Sequence, residues 1–113
     1  MENREMEKAA SYVVVLVTFK NIAEARRITG VLLNKRLVAC CNLVSPIESS
    51  FWWEGRIHRE REALAVLKTK KSRFEPLVRE IKKRHSYKVP EILALPVLKG
   101  NPDYLRWLRE VVI

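Results

Sequence analysis

Glycine, cysteine and histidine are scarce in this 113-residue chain, with three, two and two copies. So few glycines leave no glycine-rich loop to cradle a phosphate, and neither a C-x-x-C nor an H-E-x-x-H spacing is present. No Ser-His-Asp or Cys-His-Asn constellation can be assigned, so the chain is not expected to be an enzyme. The two cysteines, Cys40 and Cys41, are adjacent. A trans peptide holds such neighbours ~3.8 Å apart at Cα, short of the ~4.4 to 6.8 Å of a usual disulfide. Packing, a reactive thiol or a metal ligand remain as their roles. Because strand side chains alternate, the two thiols face opposite sides and cannot share one ion. Each is then expected to be a small buried hydrophobe.

Long hydrophobic runs are missing too. The longest apolar-rich segment, Tyr12 to Phe19 (YVVVLVTF), is far below the ~18 to 20 residues that span a membrane. Residues 1–11 (MENREMEKAAS) are charged and lack the apolar stretch of a secretory signal, so they read as a flexible N-terminal tail before a single domain over 12–113. Unbridged thiols and the absence of a signal or span lead to the expectation of a soluble, cytoplasmic protein with no membrane partner.

Positive charge is abundant: 22 Lys and Arg against 13 Asp and Glu give a net +9. Between Arg56 and Lys88, 12 basic and 4 acidic residues carry +8 of it. Such a field attracts anions, nucleic acid among them, although a solvated basic face is the commoner outcome. The strand Ala63-Leu64-Ala65-Val66-Leu67-Lys68 lacks the aromatics on which RNA-recognition sheets stack bases, so nucleic acid is not the expected partner.

Tyr12 to Phe19 is short, apolar and β-branched, which predicts a central strand. Asn21 and Glu24 resemble a capping box, and Ile22, Ala25, Ile28 and Leu32 recur at helical spacing up to Lys35. An extended stretch from Leu37 to Trp53 is interrupted at Ser45-Pro46, turns at Glu54-Gly55 and returns over Arg56 to Thr69. Ser72 and Glu75 predict another cap, for a helix ending near Arg84. Glu91 to Leu98 reads as the last strand, and Asn101 caps a final helix with a Tyr104, Leu105, Leu108, Val111 stripe. The order βαββαβ predicts an α+β, ferredoxin-like antiparallel sheet with two helices on one face, plus a C-terminal helix.

A strand from Leu37 to Trp53 would run roughly 55 Å, about three times the common length. The hairpin therefore overruns its sheet, and its tip carries Phe51, Trp52 and Trp53. Exposed aromatics and unpaired edges ask for a cover, either helices of the same chain or, more economically, a second copy.

The succession Lys35-Arg36-Leu37-Val38-Ala39-Cys40-Cys41-Asn42-Leu43, Trp53-Glu54-Gly55, Leu67-Lys68-Thr69, His85-Ser86-Tyr87 with Pro90-Glu91, and Tyr104-Leu105-Trp107-Leu108 resembles the CutA divalent-cation tolerance family. The resemblance covers about Tyr12 to Val111. It implies a homotrimer joined through long hairpins, with Phe51, Trp52 and Trp53 at the interface. It also implies a non-enzymatic role of the copper tolerance type, or a trimeric scaffold for another protein. No cofactor is required, and Cu(II) or another divalent cation is the expected ligand. Some bacterial members bind metal through a cysteine at the position of Val17 and two histidines at the positions of Arg84 and His85, so only His85 is retained here. Thiolate and imidazole suit copper, and Val17 and Arg84 supply neither. The expected metal residues are then His85 and Cys40, in an intersubunit cleft lined by Lys68, Tyr87, Glu91 and Glu60, with Lys68 and Glu91 able to pair.

Overall fold

The computed structural model describes residues 11–113, so the tail expected over 1–11 lies, except for Ser11, outside the described residues. The elements are β1 (Tyr12–Phe19), α1 (Ile22–Asn34), β2 (Cys40–Trp53), β3 (Arg56–Lys70), α2 (Phe74–Arg84), β4 (Ile92–Pro96) and α3 (Pro102–Val111). They form one antiparallel sheet in the order β2-β3-β1-β4, the split-βαβ arrangement that the sequence predicts.

Alternation decides which side chains meet the helices. Val13, Val15, Val17 and Phe19 of β1 and Ala63, Ala65 and Leu67 of β3 point to one face, where Ala25, Ile28 and Leu32 of α1 and Leu77 and Ile81 of α2 bury them. Cys41, Leu43 and Ile92 pack on the same core. The two helices sit there because their apolar residues recur at helical spacing. The opposite face carries Val14, Leu16, Val44, Leu64, Val66, Leu93 and Leu95, in register across all four strands. α3 closes one end of the sheet through Leu105, Leu108 and Val112 against Tyr12. The rest of that face is only half-buried, with Leu93 57% exposed.

Local chemistry sets the boundaries. Asn21 caps α1 by accepting from the Glu24 N–H at 2.9 Å, and Asn101 caps α3 from the Asp103 N–H at 3.1 Å. The cap expected from Ser72 does not form: a 3₁₀ turn over Lys71–Arg73 leads into α2 without a side-chain cap. β2 begins at Cys40 rather than Leu37. Arg36 has φ +56°, and the Leu37 N–H returns to the Leu32 carbonyl at 3.0 Å, so the chain is still closing α1 at that point. At the hairpin tip, Glu54 (φ +49°) and Gly55 (φ +82°) take the positive φ pair of a tight two-residue turn. The β2–β3 register shifts between Val44 and Ile47, across the cis Ser45-Pro46 bond.

Along β3, only Ala63 to Lys70 pair with β1, so the outer part of the hairpin, Ile47–Trp53 with Arg56–Glu62, extends beyond β1. The overrun expected from strand length is present, and the molecule measures 50 × 27 × 22 Å.

α2 is also tied to the end of α1 by charge. The buried Glu80 carboxylate accepts from Lys35 at 2.9 Å, Lys83 at 3.3 Å and Arg84 at 2.6 Å. The Lys35 hydrogen bond above all, working against burial and with help from Lys83, holds the Glu80 carboxyl down at about 2, below its ordinary 4.5. A depressed carboxylate stabilises the fold above its unfolded value and stops doing so as pH falls through the folded one. Wild type is therefore expected to exceed Glu80→Gln in denaturant stability above pH 4.5, with the gap closing towards pH 2. A gap constant over that window would contradict this role. In the core, Ile81→Ala removes a fully buried side chain and is expected to cost ~2 to 5 kcal/mol in the same titration.

Candidate functional site

His85 follows the last turn of α2 and its ring turns inward, fully buried. Nε2 lies 2.8 Å from the Thr18 carbonyl, and Nδ1 lies 3.0 Å from the Tyr87 N–H. A carbonyl only accepts and an amide N–H only donates, so Nε2 donates to Thr18 and Nδ1 accepts from Tyr87. Phe19 stacks on the ring at 4.9 Å, and Tyr87 tilts against it at the same distance. The loop over 85–87 is thus pinned by histidine on one side.

Tyrosine pins the other side. Tyr87 donates its hydroxyl to Glu62 Oε2 at 2.7 Å. Burial first, then the hydrogen bond and charge of Glu62, push the phenol well above its usual range. The carboxyl of Glu91 is also raised, by burial and then by the charge of Glu62. Glu24 completes the surroundings. It is 2% exposed, its Oε1 has no hydrogen-bond partner, and that oxygen lies 3.9 Å from His85 Nδ1. Sequence reasoning missed Glu24 and Glu62. Glu24 reads as half of a capping box, and only the sheet register reveals that Glu62 faces Tyr87.

The expected site residues separate into two groups. Cys40 is paired with Lys68 on β3, while His85 bonds to Thr18, whose partner on β3 is Leu64. That four-residue offset along β3 spans roughly 13 Å of strand, so His85 and Cys40 are not neighbours within one chain. Lys68 donates to Asn42 and approaches Cys40 Sγ at 3.9 Å, with no ion pair to Glu91. It leaves the expected cleft. Both cysteines are free and half-buried rather than buried, on opposite faces as alternation requires. Burial, then the Cys40 thiol, raise the Tyr104 phenol.

Glu60 and Tyr87 do come together. They line a groove of about 610 Å³ with Phe51, Trp53, His58 and Lys88. His58 stacks on Phe51 at 5.7 Å and bonds to the Trp53 carbonyl at 3.2 Å. Trp52, on the other side of the strand, is 72% exposed.

Metal ligation has a defined requirement here. Among the described residues no three of His, Cys, Asp and Glu converge on one point. Val17 is buried in the core, and Arg84 is spent on Glu80. Among the described residues, the Glu24 Oε1 without a hydrogen-bond partner and His85 Nδ1 lie 3.9 Å apart, and Nδ1 is already engaged by the Tyr87 N–H.

A four-stranded sheet of this order, with its overlong hairpin, marks a distinct class of ferredoxin-like proteins. The family model described as CutA1 divalent ion tolerance protein matches residues 13–111, and the chain belongs to that family, which is non-enzymatic. The chain is 41% identical over 97 residues to "Protein CutA 1, chloroplastic" of Oryza sativa subsp. japonica, covering 86% of this chain and 55% of the relative. It therefore spans about half the length of that plant protein. It is 42% identical to "Divalent-cation tolerance protein CutA" of Thermus thermophilus, covering 86% and 94%. The solved structure of the periplasmic divalent cation tolerance protein CutA from Archaeoglobus fulgidus superposes with a TM-score of 0.87 at 38% identity, covering 90% and 99%.

These names correct one expectation. Relatives described as chloroplastic and periplasmic conflict with a strictly cytoplasmic placement, and a short charged start was never a sufficient ground for it. Among the described residues, no helix is long and apolar enough to cross a membrane.

Tyr87→Phe removes the donor to a carboxylate that is 6% exposed, and is expected to cost ~1 to 3 kcal/mol in thermal or denaturant unfolding. Unchanged stability would show that Glu62 does not depend on Tyr87.

Proposed function

We propose that this chain acts as a homotrimer in divalent-cation tolerance, without catalysis. Family membership supports the tolerance role, and the uncovered apolar sheet face carries the assembly. Val44, Leu64, Val66, Leu93 and Leu95 make a contiguous surface of the kind that soluble monomers avoid. The aromatic hairpin continues it, with Phe51, Trp52 and Trp53 presented to a neighbour. β2 and β4 are both edge strands whose outer backbone groups a neighbouring chain can pair.

In this reading a divalent cation such as Cu(II) is held by His85 Nδ1 and Glu24 Oε1 after the Tyr87 N–H swings away. Cys40, near the far end of the sheet, reaches such an ion only from a different chain. A scaffold role for another protein is the second reading, favoured by exposed Val89 and Leu98, which lie outside the sheet face.

Val66→Glu places a charge in the middle of the proposed interface. Light scattering after size exclusion is expected to show a trimer for wild type and a monomer for the variant, with circular dichroism confirming its fold. A trimeric Val66→Glu would place the interface elsewhere. In Cu(II) titrations, His85→Ala and Glu24→Gln are each expected to weaken binding about tenfold or more, and Cys40→Ser to leave it unchanged. Unaltered affinity in His85→Ala would remove His85 from the site.

A further inference from the structure

A second concavity lies on the helical side of the sheet, where the end of α1 meets α2. It holds about 320 Å³ and is lined by Lys35, Leu37, Pro76, Arg79, Glu80 and Lys83. Three of these residues are cationic and one is anionic, so the lining carries a net +2.

Glu80 does not offer this charge to solvent. Lys35, Lys83 and Arg84 already surround its carboxylate at 2.9, 3.3 and 2.6 Å. Each lysine spends one of its three N–H donors there and keeps the others, and the two side chains are 48% and 64% exposed. Arg79 is exposed and, among the described residues, has no hydrogen-bond or ion-pair partner. Its guanidinium fork is free to take two oxygens of one anion. The α1 C-terminus does not oppose an anion strongly, because its last carbonyls are capped by the N–H groups of Lys35, Arg36 and Leu37. Leu37 and Pro76 make an apolar floor that limits water around the bound group.

We propose that this pocket binds a phosphate group, free or carried by a small metabolite, with Arg79 as the bidentate contact and Glu80 holding Lys35 and Lys83 in position. A dianion matches the net lining charge, and several oxygens around one centre suit three lining cations better than a single carboxylate does. The volume is at the small end of ligand sites, so a compact group fits rather than an extended polymer. None of the lining residues belongs to the uncovered sheet face or the hairpin tip, so the pocket stays open in the proposed trimer.

Calorimetric titration of the full chain at constant ionic strength, with orthophosphate and separately with ribose 5-phosphate, tests this. Saturable binding of one ligand per chain is expected, weakened about tenfold by Arg79→Ala and unchanged by Lys82→Ala, whose exposed side chain does not line the pocket. Binding of both ligands assigns the site to phosphate esters, and binding of orthophosphate alone assigns it to the free ion. Absence of saturable binding to either ligand, or equal losses in the two variants, would overturn the proposal, because equal losses mean that only diffuse charge is at work.

Discussion

Two helices can cover one face of a four-stranded sheet, and this sequence fills both faces with apolar side chains. On one face, α1 and α2 bury Val15, Val17, Ala65 and Leu67 completely. On the other, α3 reaches only the end near Tyr12 and leaves Leu93, Leu95 and Val44 roughly half exposed. Most of what distinguishes the molecule follows from that imbalance. The hairpin extends beyond β1 with its aromatics uncovered, both edge strands stay free, and the chemistry of the 85–87 loop develops beside the overhang. Burying apolar surface is the main favourable term in association, and this uncovered face is what the proposed assembly would bury.

The loop over 85–87 uses polar groups where the core uses apolar ones. His85 and Tyr87 each bond inward, to β1 and β3, and the surrounding carboxylates Glu24, Glu62 and Glu91 give it a local acidity that contrasts with the chain's net +9. Buried polar groups are costly unless paired, and beside this loop Glu24 Oε1 lacks a hydrogen-bond partner among the described residues. Part of the basic surplus lies on the helical side, where Glu80 gathers Lys35, Lys83 and Arg84. The carboxylates around the 85–87 loop and the basic cluster around Glu80 thus occupy separate parts of one small domain.

Much of the fold is legible in the residues because local signals and tertiary demands agree. The β-branched run of β1, the caps at Asn21 and Asn101, the Glu54-Gly55 turn and the interruption at Pro46 all appear where their chemistry places them. The Ser72 cap is absent because the 3₁₀ turn closes the chain differently, and β2 starts late because Leu37 still belongs to the end of α1. The site is less legible, since contacts between distant residues depend on strand register. Lys68 and Glu91 look like a plausible ion pair in the sequence, but Lys68 faces Cys40 and Asn42. Nothing local in Glu24 distinguishes a cap residue from a carboxylate buried against His85. The uncovered face was hidden for a related reason: Ala63 to Leu67 is apolar at every position, and alternation alone cannot say how many faces have a cover.

Native mass spectrometry of the unaltered chain at micromolar concentration reads directly whether the second sheet face is covered by copies of the chain. A single species of about three times 13.2 kDa is expected. A stable species at 13.2 kDa would contradict it and show that one chain tolerates its uncovered apolar face in water.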